Sequence, residues 1–179
     1  IGKDTIKNLS KNKVKTKYIK KHKGFKTNYH YVLWYENDRT ILVKHEEFPY
    51  KFPKISEPKW MYLSSLANHS LSYHNEIKKY LESHPSVKLA FQPGTFQIKM
   101  GYESMSFFYK RAEVFFCNVE EAQSILKTEE NDIKKLLKEI KNLLEKIVSI
   151  TDGPNGAYTY DGEEMLKIQS YPSPKHPYE

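Results

Sequence analysis

The apolar positions along this chain change rhythm near residue 58, and the two rhythms predict different architectures. Before it, two runs, Phe25 to Glu36 and Arg39 to His45, carry large groups at strand spacing. In the first run Tyr29, Tyr31, Leu33 and Tyr35 share one face, and His30, Val32 and Trp34 share the other. Tyr, Val, Ile and Trp are residues that strands prefer. Asn37-Asp38 between the runs suits a tight hairpin turn, because both residues tolerate positive φ. A hairpin with bulk on both faces needs cover on both, which a flap over a site or a dimer contact would supply. Residues 46–58 hold Pro49, Pro53 and Pro58 and read as a connector.

After the connector, strands alternate with helices. Trp60-Met61-Tyr62-Leu63 predicts a strand. Ser72 predicts the cap of a helix with Tyr73, Ile77, Tyr80 and Leu81 on one stripe, which Pro85 ends. Val87 to Phe91 predicts a strand broken by Pro93-Gly94, and residues 103–110 a short helical piece. Val114 to Cys117 is the next strand, and a helix opens at Val119. Ile133, Leu136, Leu137, Ile140, Leu143, Leu144 and Ile147 then recur at helical spacing, a core-packing stripe. Ile147 to Ile150 switches to strand, and Ala157–Tyr160 with Met165–Ile168 predicts a hairpin around Asp161-Gly162. At the ends, Asp4 to Leu9 predicts a short helix, and Tyr171 to Pro177 an extended, mobile tail. The order predicts an α/β fold with a parallel sheet and helices on both faces. Right-handed crossovers would bring the strand ends to one edge, and ligands of such sheets bind outside those ends.

Charge changes the picture little. Net charge is +7, but residues 1–54 carry 14 Lys/Arg against 5 Asp/Glu, while the remainder carries 15 against 17. The basic stretches Lys11-Asn12-Lys13 and Lys20-Lys21-His22-Lys23 keep no helix-face spacing and contain no Arg, the residue that reads bases bidentately. A solvated lysine face is the favoured reading over a nucleic-acid partner. Cys117 is the only cysteine, so no internal disulfide can form; a reducing, cytoplasmic setting is expected, with the thiol buried and inert. No apolar run approaches the roughly 20 residues of a membrane span, so no membrane partner is expected. The seven histidines lack metal-ligand spacing, and the chain has no phosphate-loop, dinucleotide or nucleophile-elbow motif.

Candidate chemistry gathers at two strand ends. Asn118-Val119-Glu120-Glu121 sets an amide at the end of one strand and a carboxylate one helical turn later. Mg²⁺ keeps several waters and takes carboxylate contacts, so Glu121 could orient those waters while Asn118 donates to phosphate. An ordinary capping box would use the same two residues. Thr151-Asp152-Gly153-Pro154-Asn155-Gly156 ends the other strand with two glycines, which let a ligand approach backbone amides. A plain β-turn explains that segment as well. The two motifs together, joined by helix, suggest a nucleotide phosphate site.

These residues resemble the ribokinase-like (PfkB) carbohydrate kinases. Gly2-Lys3-Asp4 before a helix looks like the family's G-x-D segment, and Thr27-Asn28 with Arg39-Thr40-Ile41-Leu42 is similar to its lid strands. Asn118 and Glu121 match N-x-x-E, and Thr151, Gly153 and Gly156 match T-x-G-x-x-G. The resemblance implies a three-layer α/β fold with a small β lid, here incomplete. It implies transfer of the γ-phosphoryl of ATP, with Mg²⁺, to a hydroxymethyl group of a sugar, nucleoside or related alcohol. Asn118 and Glu121 would place Mg²⁺ (Glu121 through water) and phosphate. Thr151, Asp152, Gly153 and Gly156 would border the nucleotide. Asn28 and His30 are candidates for substrate contact, and a homodimer could form through the lid. Residues 1–13 would be a remnant of the core domain, 14–50 the lid, and 51–179 the α/β core.

The chain also departs from the family pattern. The Gly-Ala-Gly-Asp segment that supplies the catalytic base and anion hole is absent, so no catalytic residue is assigned here. The Gly-rich opening strand is absent too, and Gln92-Pro93-Gly94-Thr95-Phe96 stands where many sugar kinases carry Asp-Pro-Asn-x-Arg. The expectation is the middle of a kinase, inactive alone. The alternative is a non-catalytic nucleotide-binding or interaction module.

Overall fold

The structure is a computed structural model that describes residues 1–35, 38–44 and 46–171. These group into two compact units, Ile1–Lys54 and Ile55–Glu179.

The first unit opens with helix α1 (Gly2–Lys11), longer at both ends than the sequence predicts and with no buried residue. An antiparallel hairpin follows, β1 (Tyr29–Tyr35) and β2 (Asp38–Lys44), with Tyr29 opposite Lys44 and His30 opposite Val43. The first strand begins four residues later than predicted from Phe25. That ring instead packs on Phe48, centroids 5.3 Å apart, with His22 against both. The predicted turn residue Asn37 lies outside the described residues, as do Glu36, His45 and residues 172–179 of the tail.

The second unit is a six-stranded sheet flanked by helices. In chain order it runs β3 (Trp60–Leu63), α2 (Leu71–Ser83), β4 (Lys88–Phe91), α3 (Thr95–Lys99), α4 (Tyr102–Arg111), β5 (Val114–Asn118), α5 (Val119–Leu126), α6 (Ile133–Leu144), β6 (Ile147–Thr151), β7 (Ala157–Tyr160) and β8 (Met165–Ile168). Strand order in the sheet equals chain order. β3 to β6 are parallel, each joined to the next through helix, and β7 and β8 complete the sheet as an antiparallel meander. Alternate residues explain how the sheet holds its helices. Leu89, Phe91, Phe115, Cys117, Val148 and Ile150 are buried, while Ala90, Val114 and Phe116 are half-buried.

Two expectations need correction, and one element is an addition. The cap of α2 is Ser70 rather than Ser72: the His74 amide donates to the Ser70 carbonyl at 2.9 Å, and Ser72 stands exposed in the first turn. β4 ends at Phe91, ahead of Pro93-Gly94 as predicted, but a helix that the sequence reading does not predict, α3, follows at once, and the Gly94 amide donates to Gln97 Oε1 at its start. The α6 stripe is narrower than predicted. Leu136, Leu137, Ile140 and Leu144 are buried, but Leu143 is 40% exposed. Glu145 ends the helix at φ +56, which puts Ile147 in β6 at 39% exposure.

Candidate functional site

β5 and β6 are neighbours in parallel register, so their last residues, Asn118 and Thr151, are Cα partners. Both motifs that the sequence singles out therefore leave the sheet from one edge, side by side. The Thr151 hydroxyl donates to the Cys117 carbonyl at 3.5 Å, a further tie between the two strand ends.

At the end of β5 the backbone turns into α5 through a complete capping box. The Glu121 amide donates to Asn118 Oδ1 at 2.7 Å, and the Asn118 amide donates to Glu121 Oε2 at 2.9 Å. This uses the amide oxygen of Asn118 and leaves its NH₂ for another acceptor. It engages one oxygen of Glu121 and leaves Oε1. Burial pushes the Glu121 carboxyl above its ordinary value, the Asn118 amide opposes that shift, and Glu120 adds to it. Beneath, Cys117 is a free, buried thiol; burial raises its pKa, and Glu121 raises it further.

At the end of β6, Gly153–Asn155 form one turn of 3-10 helix. The loop is closed by Asp152 N–H to the Gly156 carbonyl at 2.8 Å and by Asn155 N–H to the Asp152 carbonyl at 2.9 Å. The Asn155 side-chain amide donates to Asp152 Oδ2 at 3.1 Å. The two glycines differ. Gly153 has φ +47 and open space where a Cβ would stand. Gly156 is buried at φ +98, and a Cβ there would lie 2.1 Å from the Ile168 carbonyl oxygen. Gly156 is needed so that β8 can approach; Gly153 is the glycine with room beside it.

Asn28 and His30 lie in the other unit. Asn28 is half-buried, and its Oδ1 accepts from the Glu46 amide at 2.6 Å, which pins the chain beyond β2. Asn28 also lines a cavity of about 690 Å³ with Asp4, His22, Phe25, Thr27 and Phe48. His30 is exposed on β1 and is not among the residues lining that cavity.

Sequence reading missed a buried polar cluster at the ends of β3 and β4. Gln97 is fully buried; its Oε1 accepts from Gly94 N–H at 2.8 Å and Leu66 N–H at 3.2 Å. Its NH₂ donates to the Ser64 carbonyl at 3.3 Å and to His74 Nε2 at 3.0 Å. His74 Nδ1 donates to the Ser70 carbonyl at 2.8 Å, and burial holds the imidazole below its ordinary pKa, in the neutral form. The signal was present: Gly94-x-x-Gln97 repeats the spacing of Asn118-x-x-Glu121.

The family model for pfkB family carbohydrate kinases matches residues 1–175. Among solved structures, a nucleoside kinase from Burkholderia thailandensis in complex with inosine superposes with a TM-score of 0.68 at 10% identity, over 95% of this chain and 56% of that one. A fructokinase from Vibrio cholerae, bound to fructose, ADP and calcium, superposes at 0.67 with 16% identity, over 94% and 58%. A PfkB protein from Polaromonas superposes at 0.67 with 11% identity, over 96% and 63%. At such identities the likeness is one of fold, and the chain spans less than two thirds of each relative. Comparison with curated protein sequences gives no match. The match over nearly the whole chain, on a fold shared with these kinases, places this chain in the pfkB carbohydrate kinase family.

Proposed function

We propose that this chain supplies the nucleotide-side half of an ATP-dependent phosphotransferase whose acceptor is a hydroxymethyl group on a sugar or nucleoside. The observation that carries this reading is the register pairing of Asn118 with Thr151 on adjacent parallel strands. That edge is where open α/β sheets take ligands.

The residues fit such a ligand. Gly153, at the start of the 3-10 turn that follows the strand end, has open space where a Cβ would stand. The Asn118 NH₂ is spare after capping and can donate to a phosphate oxygen. Among the described residues no group of three or more His, Cys, Asp or Glu could hold a metal. A divalent ion would be held by Glu121 through its water shell, in keeping with how Mg²⁺ binds. When bound, Mg²⁺-ATP supplies the γ-phosphoryl group. The chain's own part is positioning. The α5 N-terminus offers positive dipole to phosphate, Glu121 orients water, and Thr151 to Gly153 border the nucleotide. Phosphoryl transfer depends largely on such placement. The same reading has the hairpin β1–β2 act as a lid that excludes water and meets a second copy of the chain.

The competing reading is a non-catalytic nucleotide-binding or interaction module. It is favoured by the completeness of the capping box, which gives Asn118 and Glu121 a structural task with no ligand present. Equilibrium dialysis with Mg²⁺-ATP, paired with a turnover assay over a panel of sugars and nucleosides, tests both. Residues 1–179 are expected to bind Mg²⁺-ATP without turnover. In a longer chain that carries the catalytic base, Glu121→Ala is expected to lower kcat and blunt the Mg²⁺ dependence. An unchanged Mg²⁺ titration removes Glu121 from the role; no nucleotide binding removes the proposal.

A further inference from the structure

One strand over from Asn118, the end of β4 carries a polar side chain with no task in the nucleotide reading. β4 stops at Phe91, level with Phe115 of β5, while β5 runs on through Phe116 and Cys117 to Asn118. The sheet edge is therefore stepped, and Gln92 stands at the foot of the step. Its backbone N–H donates to the Leu63 carbonyl at 2.9 Å, which carries the β3–β4 ladder one residue past the strand. Pro93 follows, and a residue before proline is held extended. By strand alternation Gln92 falls on the face of Ala90, Phe116 and Asn118, opposite the buried Phe91 and Phe115.

Side-chain contacts agree with that placement. The Tyr62 hydroxyl donates to Gln92 Oε1, and the Tyr62 ring lies edge-on to Phe116, centroids 6.5 Å apart. Tyr62 thus pins the half-buried Gln92 amide by its oxygen. The Gln92 NH₂ makes no hydrogen bond among the described residues. Asn118 is in the same condition: its oxygen accepts from the Glu121 amide, and its NH₂ is spare. At about 4.8 Å between strands and about 3.3 Å per residue, the two Cα atoms lie about 8 Å apart. That leaves room for one phosphoryl group between two side chains that reach toward it.

We propose that Gln92 is a phosphate-binding residue, whose NH₂ donates together with that of Asn118 to the terminal phosphoryl oxygens of the nucleotide. The proposal rests on the nucleotide reading and extends it. Along the edge the strands run β4, β5, β6. A phosphate chain that starts at the turn Thr151–Gly153 and passes Asn118 therefore ends beside Gln92. Tyr62, Gln92 and Phe116 carry no charge, so the contact is a directed hydrogen bond rather than a general attraction to anions.

The test is NMR of residues 1–179, reading backbone amides and the Gln92 side-chain NH₂, titrated in parallel with Mg²⁺-ADP and with Mg²⁺ and a non-hydrolysable ATP analogue. Both nucleotides are expected to shift residues 118–121 and 151–153, and only the triphosphate to shift the Gln92 NH₂. Gln92→Ala is expected to weaken the triphosphate roughly tenfold and to leave ADP unchanged. Gln92→Glu, which adds a negative charge, is expected to weaken the triphosphate further. Tyr62→Phe, which keeps the ring on Phe116, is expected to give a smaller loss, again for the triphosphate alone. Shifts at both strand ends with the Gln92 NH₂ unmoved overturn this proposal and leave the nucleotide reading standing. So does a Gln92→Ala variant that weakens both nucleotides equally or neither. No shifts at residues 118–121 and 151–153 overturn both. If the variants disturb folding, the comparison of the two nucleotides on the parent chain still decides.

Discussion

Glu121 holds its charge against its surroundings. Its folded-state pKa is raised, chiefly by burial, so the native state binds this proton more tightly than the unfolded chain does. Stability from this group is therefore full below the ordinary carboxylate pKa and is lost as pH rises through the raised value. Glu121→Gln keeps an acceptor for the Asn118 amide and has no proton to lose. The variant should show a flatter melting temperature across the weakly acidic range than the parent. Thermal melts at a series of pH values read this directly, and parallel curves would argue that the carboxyl is not so buried. The two glycines of the turn make a second contrast. Gly156→Ala puts a methyl into the Ile168 carbonyl at a positive φ and should cost roughly 3 kcal/mol. Gly153→Ala meets open space at a milder φ and should cost only about 1 kcal/mol. Urea melts of the two variants should separate clearly; equal losses would contradict the packing assigned to Gly156.

At the scale of elements, the hairpin and helix α6 illustrate what pattern reveals. Tyr31 (62%), Leu33 (53%) and Leu42 (52%) are exposed on β1 and β2, so the bulk on this hairpin that prompted the expectation of cover stands open in the single chain. If a second copy covers it, Leu33→Glu should shift sedimentation toward monomer. A parent chain that is monomeric throughout would contradict the dimer. Ile140→Ala, in the buried stripe of α6, should cost about 2–5 kcal/mol because the cavity lies between helix and sheet. Most strands and helices were legible because burial on one face writes a period into the chain. What escaped was set by contacts rather than by period. Ser70 caps α2 with its backbone, which leaves no side-chain signature. α3 is five residues long, too short for a stripe, and follows a Pro-Gly pair that reads as a break. The Gln97–His74 cluster joins the end of β3 to α2 and α3 through bonds between residues 23 or more apart in the chain. At the site, the residue types were legible, and so was the capping box that Asn118 and Glu121 form. Only coordinates reveal that Gly156 serves β8 rather than open space.

The whole molecule combines a kinase-family sheet with a hairpin-bearing first unit, and the basic excess lies in the first 54 residues. In the sheet unit the two strand ends are brought together by local register alone, since the Asn118–Thr151 pairing needs only β5, α5, α6 and β6. The central claim is that a nucleotide's phosphates occupy that edge. Its most direct test is amide NMR of residues 1–179 titrated with Mg²⁺ and a non-hydrolysable ATP analogue. The expected result is saturable shifts at residues 118–121 and 151–153, weakened by Gly153→Ala, with the core of α6 undisturbed. Saturation without shifts at those strand ends, or no saturation at all, would contradict it.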